Sequence, residues 1–407
     1  MAKRIYSLPR LDELTKDQRK VLRLKKDGQY LIVGSPGTGK SVVALLRARQ
    51  LIDHEDSLFL TFNRVLSQAT CQLSENEINC QTSMKWFYSL YWELTDGKRE
   101  TFEQDKMPEL ESHKPDYQLV AEKFKSLGED YSNYQVIIDE GQDLPPGWYD
   151  CLAELGVENF FIVADQNQQI TEEHSSRIQL QEALGLEGRD FIELKENWRN
   201  TSSIAMFANC FYTDKTSPKP LIPERPSTDT PILFEYSNIT QIYEMILSEY
   251  DRDPSKLIGL IVATENKRDW YAKKLSNDQA RRSNSKPIIS TYSSNQKTEV
   301  NIDFSFGGIV VLNDKSVKGI EFDTVFILID EFKVIGNDIE SLKKRFYVMS
   351  SRAREKLFLL KSPVLASVIE KILPKPKEYY EFRVVDGSGD EKVITKTGDD
   401  LLKRRKI

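Results

Sequence analysis

Short, continuous apolar runs recur along this chain, and each is followed by a stretch with apolar residues at helical spacing. Tyr30–Val33, Ser57–Thr61, Ile78–Thr82, Val136–Glu140, Phe160–Asp165 and Ile192–Leu194 read as strands. Arg19–Leu24, Val42–Leu51, a segment opened by Phe62-Asn63-Arg64, Ser83–Trp92, Tyr117–Ser126, a segment opened by Pro145-Pro146, and Ser202–Phe211 read as helices. Strands that are apolar throughout, rather than at alternate positions, are those buried on both faces. Their alternation with helices predicts a doubly wound parallel sheet. Thr213–Pro231, with five prolines, reads as a linker. A second alternation then begins, with strands at Ile232–Tyr236, Leu257–Val262, Ile288–Thr291, Gly308–Leu312, Asp323–Ile329 and Leu357–Leu360. Its helices are Thr240–Tyr250, Lys267–Leu275, Ser341–Ser350 and Val364–Leu373, and Ser276–Lys286 reads as a polar, basic loop. Polar Asp96–Pro115 reads as a loop or small insertion. The pattern divides the chain into an α/β domain over 1–215 with an insertion near 72–133, a second over 216–373, and a tail over 374–407 whose basic end, Lys403–Lys406, reads as solvated.

Composition narrows this picture only modestly. The 407 residues, 39% of them apolar, suffice for two cores. The net charge of −6 is not that of a passive nucleic-acid coat, although a local basic groove is compatible with it. Cys71, Cys80, Cys151 and Cys210 form no C-x-x-C pair, and only three histidines are present, which argues against a zinc site or a disulfide framework. Reduced thiols, no apolar leader segment at the start and no run long enough to cross a membrane predict a cytoplasmic protein with no membrane partner.

The chemistry concentrates in Gly34-Ser35-Pro36-Gly37-Thr38-Gly39-Lys40-Ser41, which satisfies G-x-x-x-x-G-K-[ST] between a strand and a helix. Glycines let the backbone fold tightly enough to turn N–H groups toward phosphates, and the helix start adds its positive end. Lys40 is then expected to reach the β- and γ-phosphates of ATP, and Ser41 to ligate Mg²⁺. Asp139 and Glu140 close an apolar strand about a hundred residues later. An acid at the C-terminal edge of a parallel strand beside the glycine-loop strand is placed to hold Mg²⁺, and the next acid to activate the attacking water. The aromatic segment Ser83–Trp92 reads first as core helix, with a base-stacking platform as the alternative.

The ordered motifs resemble those of a superfamily 1 helicase of the UvrD/Rep type, over roughly residues 14 to 360. Gln18 resembles the adenine-reading Q motif, and Gly34–Ser41 the Walker A motif. Thr61-Phe62-Asn63, and Thr82 with Trp86, resemble elements that touch single-stranded DNA. Asp139-Glu140-Gly141-Gln142-Asp143 is similar to motif II, and Val163-Ala164-Asp165 with Gln168 to motif III. Asn197-Trp198-Arg199-Asn200 is similar to motif IV, Lys318-Gly319-Ile320-Glu321-Phe322 to motif V, and Tyr347-Val348 with Ser351-Arg352-Ala353 to motif VI. The resemblance implies two tandem RecA-like domains with the ATP site in the cleft between them. It further implies ATP hydrolysis run by Lys40, Ser41, Asp139 and Glu140, with Gln168 sensing the γ-phosphate and Arg199 and Arg352 as arginine fingers. Trp198 would stack on adenine, and Gly319 and Glu321 would meet the nucleotide, Glu321 at the ribose. Thr61, Asn63, Thr82 and Trp86 would touch the strand. The implied partner is single-stranded DNA, with RNA as the alternative track.

The departures carry information too. Ala164, Thr171, Asn313 and Lys315 replace the residues usual in motifs III and V, and Pro36 is more usual in the other branch of the superfamily. Only about a hundred residues separate Thr201 from Asn313, so the large 2B insertion of the family has no room. That predicts either a helicase or translocase, or a nucleic-acid-stimulated ATPase switch within a multi-protein repair or defence system that needs a protein partner to unwind. An unrelated P-loop protein such as a nucleotide kinase would leave Arg199, Lys318 and Arg352 without a role.

Overall fold

The computed structural model describes residues 2–4, 6–96, 106–165, 175–214, 220–227, 229–282, 284–292, 300, 302–334, 338–365, 367–385 and 391–393. The chain forms two compact units. One is Ser7–Lys195; the other joins Met1–Tyr6 to Glu196–Ile407. The sequence-derived boundary near 215 therefore falls inside the second unit. The segment after Lys195 is tied there because Thr201 N–H donates to Arg354 O at 3.2 Å and Ser202 N–H to Arg225 O at 3.0 Å.

In the first unit the strands are β1 (Gln29–Gly34), β2 (Ser57–Thr61), β3 (Cys80–Thr82), the short antiparallel pair β4 (Glu109–Glu111) and β5 (Lys114–Pro115), β6 (Gln135–Asp139), β7 (Asn159–Ala164) and β8 (Phe191–Leu194). The helices are α1 (Lys16–Leu22), α2 (Lys40–Gln50), α3 (Arg64–Leu73), α4 (Ser83–Asp96), α5 (Tyr117–Leu127), α6 (Pro146–Ala153) and α7 (Arg177–Ala183). Six parallel strands run in the order β3-β2-β6-β7-β1-β8. Successive residues of one strand serve opposite cores. Leu31 and Val33 join Phe87, Phe124 and Trp148 on one face, while Tyr30 and Ile32 join Val43, Leu45 and Phe161 on the other. This two-sided burial is why the strands read as unbroken apolar runs.

The second unit holds β9 (Ile232–Glu235), β10 (Leu257–Val262), β11 (Ile289–Thr291), β12 (Gly308–Asn313), β13 (Phe322–Leu328), β14 (Ala353–Lys361), β15 (Glu381–Val385) and β16 (Glu391–Val393), with α8 (Ser202–Asn209), α9 (Ile239–Arg252), α10 (Glu265–Arg282) and α11 (Ile339–Ser350). Its sheet order is β11-β12-β10-β13-β14-β9-β15-β16, parallel except for β16. The architecture is thus α/β with two parallel sheets and helices between strands, the RecA-like arrangement expected.

Several local expectations fail. Ser276–Lys286 is not a loop over its first part, because α10 runs on to Arg282 with no glycine or proline to stop it. Val364–Leu373 is not a helix. It holds only a 3₁₀ turn at Ile369–Lys371, since Ser362 N–H bonds the Asp330 carboxylate and the Ser367 side chain bonds the Ile329 carbonyl, bending the backbone. The expected tail contributes β15 at the sheet's margin, while the basic end Lys403–Lys406 lies outside the described residues.

Candidate functional site

The C-terminal ends of β1, β6 and β7 gather the first group of candidate residues, as open parallel sheets do. β1 stops at Gly34 and α2 begins at Lys40. Gly37 and Gly39 both have φ of +82°, which L side chains rarely adopt. A Cβ on Gly39 would also stand 2.3 Å from Gln18 Nε2. Gln18 itself is fixed twice. It forms a capping box with Thr15, and its Nε2 donates to Thr38 O at 3.0 Å, so it braces the loop from α1. Ser35 O accepts from the Thr38 hydroxyl at 2.8 Å, with Pro36 between them. Lys40 folds back along this loop. Its Nζ donates to Gly34 O at 2.8 Å and Ser35 O at 3.0 Å and lies 3.5 Å from Asp165 Oδ2. A cation satisfied by two carbonyls is one that incoming phosphate oxygens can recruit.

Asp139 ends β6. The sequence reading sets this strand directly beside β1, but β7 lies between them. Even so, the Asp139 carboxylate feels Ser41 and Lys40. Burial pushes its pKa up to about 7, Glu140's charge adds to this, and Ser41 and Lys40 pull the other way. Both carboxylate oxygens are buried and neither is closely hydrogen-bonded, the Ser41 hydroxyl lying near enough to favour the charged form. A buried, under-bonded carboxylate next to a hydroxyl suits a divalent cation, which would supply the missing positive charge. The set Asp139 and Ser41 therefore fits Mg²⁺.

Glu140 follows in a left-handed conformation, φ +62°, rare for a residue with a side chain. Strain of this kind gathers at functional sites. The carboxylate is held in place by a residue with no role assigned from sequence. Gln142, fully buried, donates through Nε2 to Glu140 Oε2 at 2.6 Å and accepts the Asp165 N–H through Oε1 at 3.0 Å. The ends of β6 and β7 are thereby locked together around the candidate base. The only sign of this in the sequence is the D-E-x-Q-D spacing. Gln168 lies outside the described residues.

The second unit assembles the other group. Asn197 Oδ1 accepts from the N–H groups of Arg199 and Asn200 at 3.0 Å and 3.3 Å. Asn200 Nδ2 donates to Ser351 O at 3.1 Å and Ala353 O at 2.5 Å, which clasps the Asn197–Asn200 segment to Ser351–Ala353. Arg199 reaches Glu321 Oε1 at 2.6 Å, while its Nε and Nη1 are buried without partners. Burial acts to raise the Glu321 pKa. Arg199, Arg354 and Arg352 more than offset it, holding the carboxyl at about 2. Arg352 is 1% exposed and donates from Nε to Val348 O at 2.9 Å. Gly319 has φ of +81°, and Trp198 stands 62% exposed. Arg199, Arg352 and Glu321 are brought together, and Trp198, next to Arg199 in sequence, is presented to solvent.

Sequence reasoning also missed the start of the chain, which belongs to this second unit. Arg4 Nε pairs with buried Asp323 Oδ2 at 3.0 Å, Arg4 N–H donates to Ser305 O at 2.8 Å, and Tyr6 stacks on Phe304 at 6.1 Å. Six residues offer too short a window for any periodic signal.

The residues expected to touch a strand are mostly engaged within the first unit. Thr61 is fully buried, and its hydroxyl is 3.4 Å from both Asn63 O and Gln81 O. Asn63 caps α3 by accepting the Leu66 N–H at 2.8 Å. Thr82 is half-buried at the end of β3. Trp86 is 8% exposed, packed 6.2 Å from Trp148 within the core, so in this conformation its ring face is taken by protein.

No family model matches the chain, and no curated protein matches it. Among solved structures, the C-terminal domain of a possible DNA helicase from Lactobacillus plantarum WCFS1 is similar to part of it, at 17% identity and a TM-score of 0.31, covering 46% of this chain and 98% of that one. A score of that size establishes no shared architecture, and the functional reading rests on the chain's own residues.

Proposed function

We propose that this chain is an Mg²⁺-dependent ATP hydrolase driven by nucleic acid, of the superfamily 1, UvrD/Rep-like kind. The observation that carries this reading is the group at the strand ends: Lys40 folded along its glycine loop, under-bonded Asp139 beside Ser41, and Glu140 held by Gln142. In the proposed mechanism Gly34–Ser41 cradle the phosphates, and Lys40 exchanges its two carbonyls for β- and γ-phosphate oxygens. Mg²⁺, held by Ser41 and Asp139, neutralises phosphate charge when bound. Glu140 takes the proton from the attacking water. Gln168 senses the γ-phosphate, and Arg199 and Arg352 stabilise the charge that leaves with it. Trp198 stacks on adenine, Gln18 reaches its edge by exchanging the Thr15 N–H and Thr38 O bonds that hold it in the nucleotide-free chain, and Gly319 and Glu321 face the sugar. Single-stranded DNA is the favoured track, contacted through Asn63 and Thr82, with fully buried Thr61 holding the segment behind them.

A second reading is an ATPase switch that does not separate strands alone and works with a protein partner. What supports it is that residues between Thr201 and Asn313 are drawn into α8–α10 and β9–β12 of the second unit's own fold, and that the described residues of the first unit's insertion near 72–133 hold just β3, α4, the β4–β5 pair and α5. The test is Glu140→Gln. Nucleotide binding should persist while turnover falls by about 10²–10³. Unchanged turnover would remove Glu140 as the base, and strand displacement by the isolated wild-type chain would remove the switch reading.

A further inference from the structure

Two cysteines that the proposed ATPase chemistry does not use lie together. Cys71 is in α3, and Cys80 opens β3 at the sheet's edge. Their thiols donate to one and the same acceptor, Ile78 O, at 3.2 Å and 3.6 Å. Both side chains are half-buried rather than sealed in a core. The backbone around them is fixed. The Ser67 hydroxyl donates to Cys80 O at 3.0 Å, and Cys71 O accepts from Ser74 Oγ and Asn76 N, each at 2.8 Å. The mutual influence of the two neighbouring thiols is the largest effect on each. It draws Cys71 down to about 6, against burial, and with burial it drives Cys80 far above the usual thiol range. The remaining cysteines are unlike this pair. Cys151 is buried, its thiol pushed up to about 12 by burial, and Cys210 donates to Met206 O at 3.4 Å within its own segment.

We infer that Cys71 and Cys80, which face one shared carbonyl, form a peroxide-reactive dithiol site that closes to an intrachain disulfide, with Cys71 attacking and Cys80 resolving. In the first step Cys71 sulfur attacks a hydrogen peroxide oxygen. An S–O bond forms, the O–O bond breaks, and the departing hydroxide takes a proton to become water, leaving a sulfenic acid. In the second step Cys80 gives up its proton and attacks the Cys71 sulfur. The S–S bond forms, the S–O bond breaks, and a second water leaves. Two thiols are oxidised by two electrons and the peroxide is reduced to two waters. A thiolate beside a neutral thiol is the arrangement the first step needs; once Cys71 is a neutral sulfenic acid, its influence raising Cys80 is gone and the Cys80 proton can leave for the second. The bond would staple α3 to the edge strand, between Asn63 at the head of α3 and Thr82 at the end of β3. This inference does not depend on the proposed ATPase activity.

The experiment is peroxide treatment of the folded full chain, followed by alkylation and peptide mass mapping with and without dithiothreitol. The expected product is one reducible link between the Cys71 and Cys80 peptides, lighter by two hydrogen atoms, with Cys151 and Cys210 still alkylated. Cys80→Ser should then trap a dimedone adduct on Cys71, and Cys71→Ser should give none on Cys80. Oxidation of Cys210 before Cys71, dimers linked through Cys71, or further oxidation of Cys71 without the link would each overturn the pairing. The wild-type map needs no variant, so a poorly folded substitution does not remove the test.

Discussion

Gln142 offers the sharpest test of how the site is held. Its side chain spans two buried groups, the Glu140 carboxylate at 2.6 Å and the Asp165 N–H at 3.0 Å. Gln142→Ala removes both bonds and leaves both partners in place. A hydrogen bond to a charged group is worth about 1.5–3 kcal/mol. If that energy orients Glu140 toward water in the transition state, its loss lowers kcat by about 10–100-fold. Nucleotide affinity should change little, because neither bond involves the glycine loop. The unpaired Asp165 N–H adds a stability cost of about 1–3 kcal/mol, about 2–4 °C of Tm per kcal/mol in a unit of this size. Steady-state ATP hydrolysis and thermal unfolding, read on the same preparation, separate the two effects. Gln142→Glu should be worse than alanine for turnover, since it sets a second carboxylate against Glu140. A Gln142→Ala chain with normal kcat at saturating ATP would refute the positioning argument, whatever its Tm.

Three further outcomes follow from the placement of the charged groups. Asp139, raised to about 7 mainly by burial, makes the nucleotide-free protein more stable below the ordinary carboxylate range and costs stability as pH rises through 7; Asp139→Asn should therefore flatten the pH dependence of Tm there and abolish Mg²⁺-dependent turnover. Glu321 behaves oppositely. Held at about 2 by three arginines that outweigh burial, it stabilises above pH 4–5, so Glu321→Gln should destabilise at pH 7 and the difference should vanish as pH falls toward about 2. Arg4→Ala leaves buried Asp323 with Leu257 N–H and, at 3.9 Å, Arg354, and should cost up to about 3 kcal/mol by denaturant unfolding; no loss would mean that the start of the chain is not anchored there.

The parts legible in the sequence were those with a local cause. Gly37 and Gly39 are required by positive φ, and the apolar runs by burial on both faces of a sheet. What was illegible depends on partners distant in the chain. β14 begins four residues before its apolar run because Glu355 and Lys356, polar in sequence, pair with Lys256 and Glu249 of other elements. Val364 and Leu365 mimic a helical stripe yet stand exposed, while Ser367 and Ile369 are buried. At the candidate site, the acids could be read directly, but the insertion of β7 between β6 and β1 could not, since strand order leaves no trace in spacing. Gln142 was visible only as a motif letter, and its two bonds exist only once β6 and β7 are side by side. Trp86 could be read either as core or as a stacking platform, and Trp148, sixty residues on, decides its packing.

The most direct measurement is ATP hydrolysis by the purified chain with Mg²⁺, with and without single-stranded DNA or RNA, beside a Lys40→Ala control. The account predicts turnover that requires Mg²⁺ and Lys40 and is stimulated by one of the two polymers. Absence of hydrolysis under every condition, with the chain folded and ATP saturating, would contradict it.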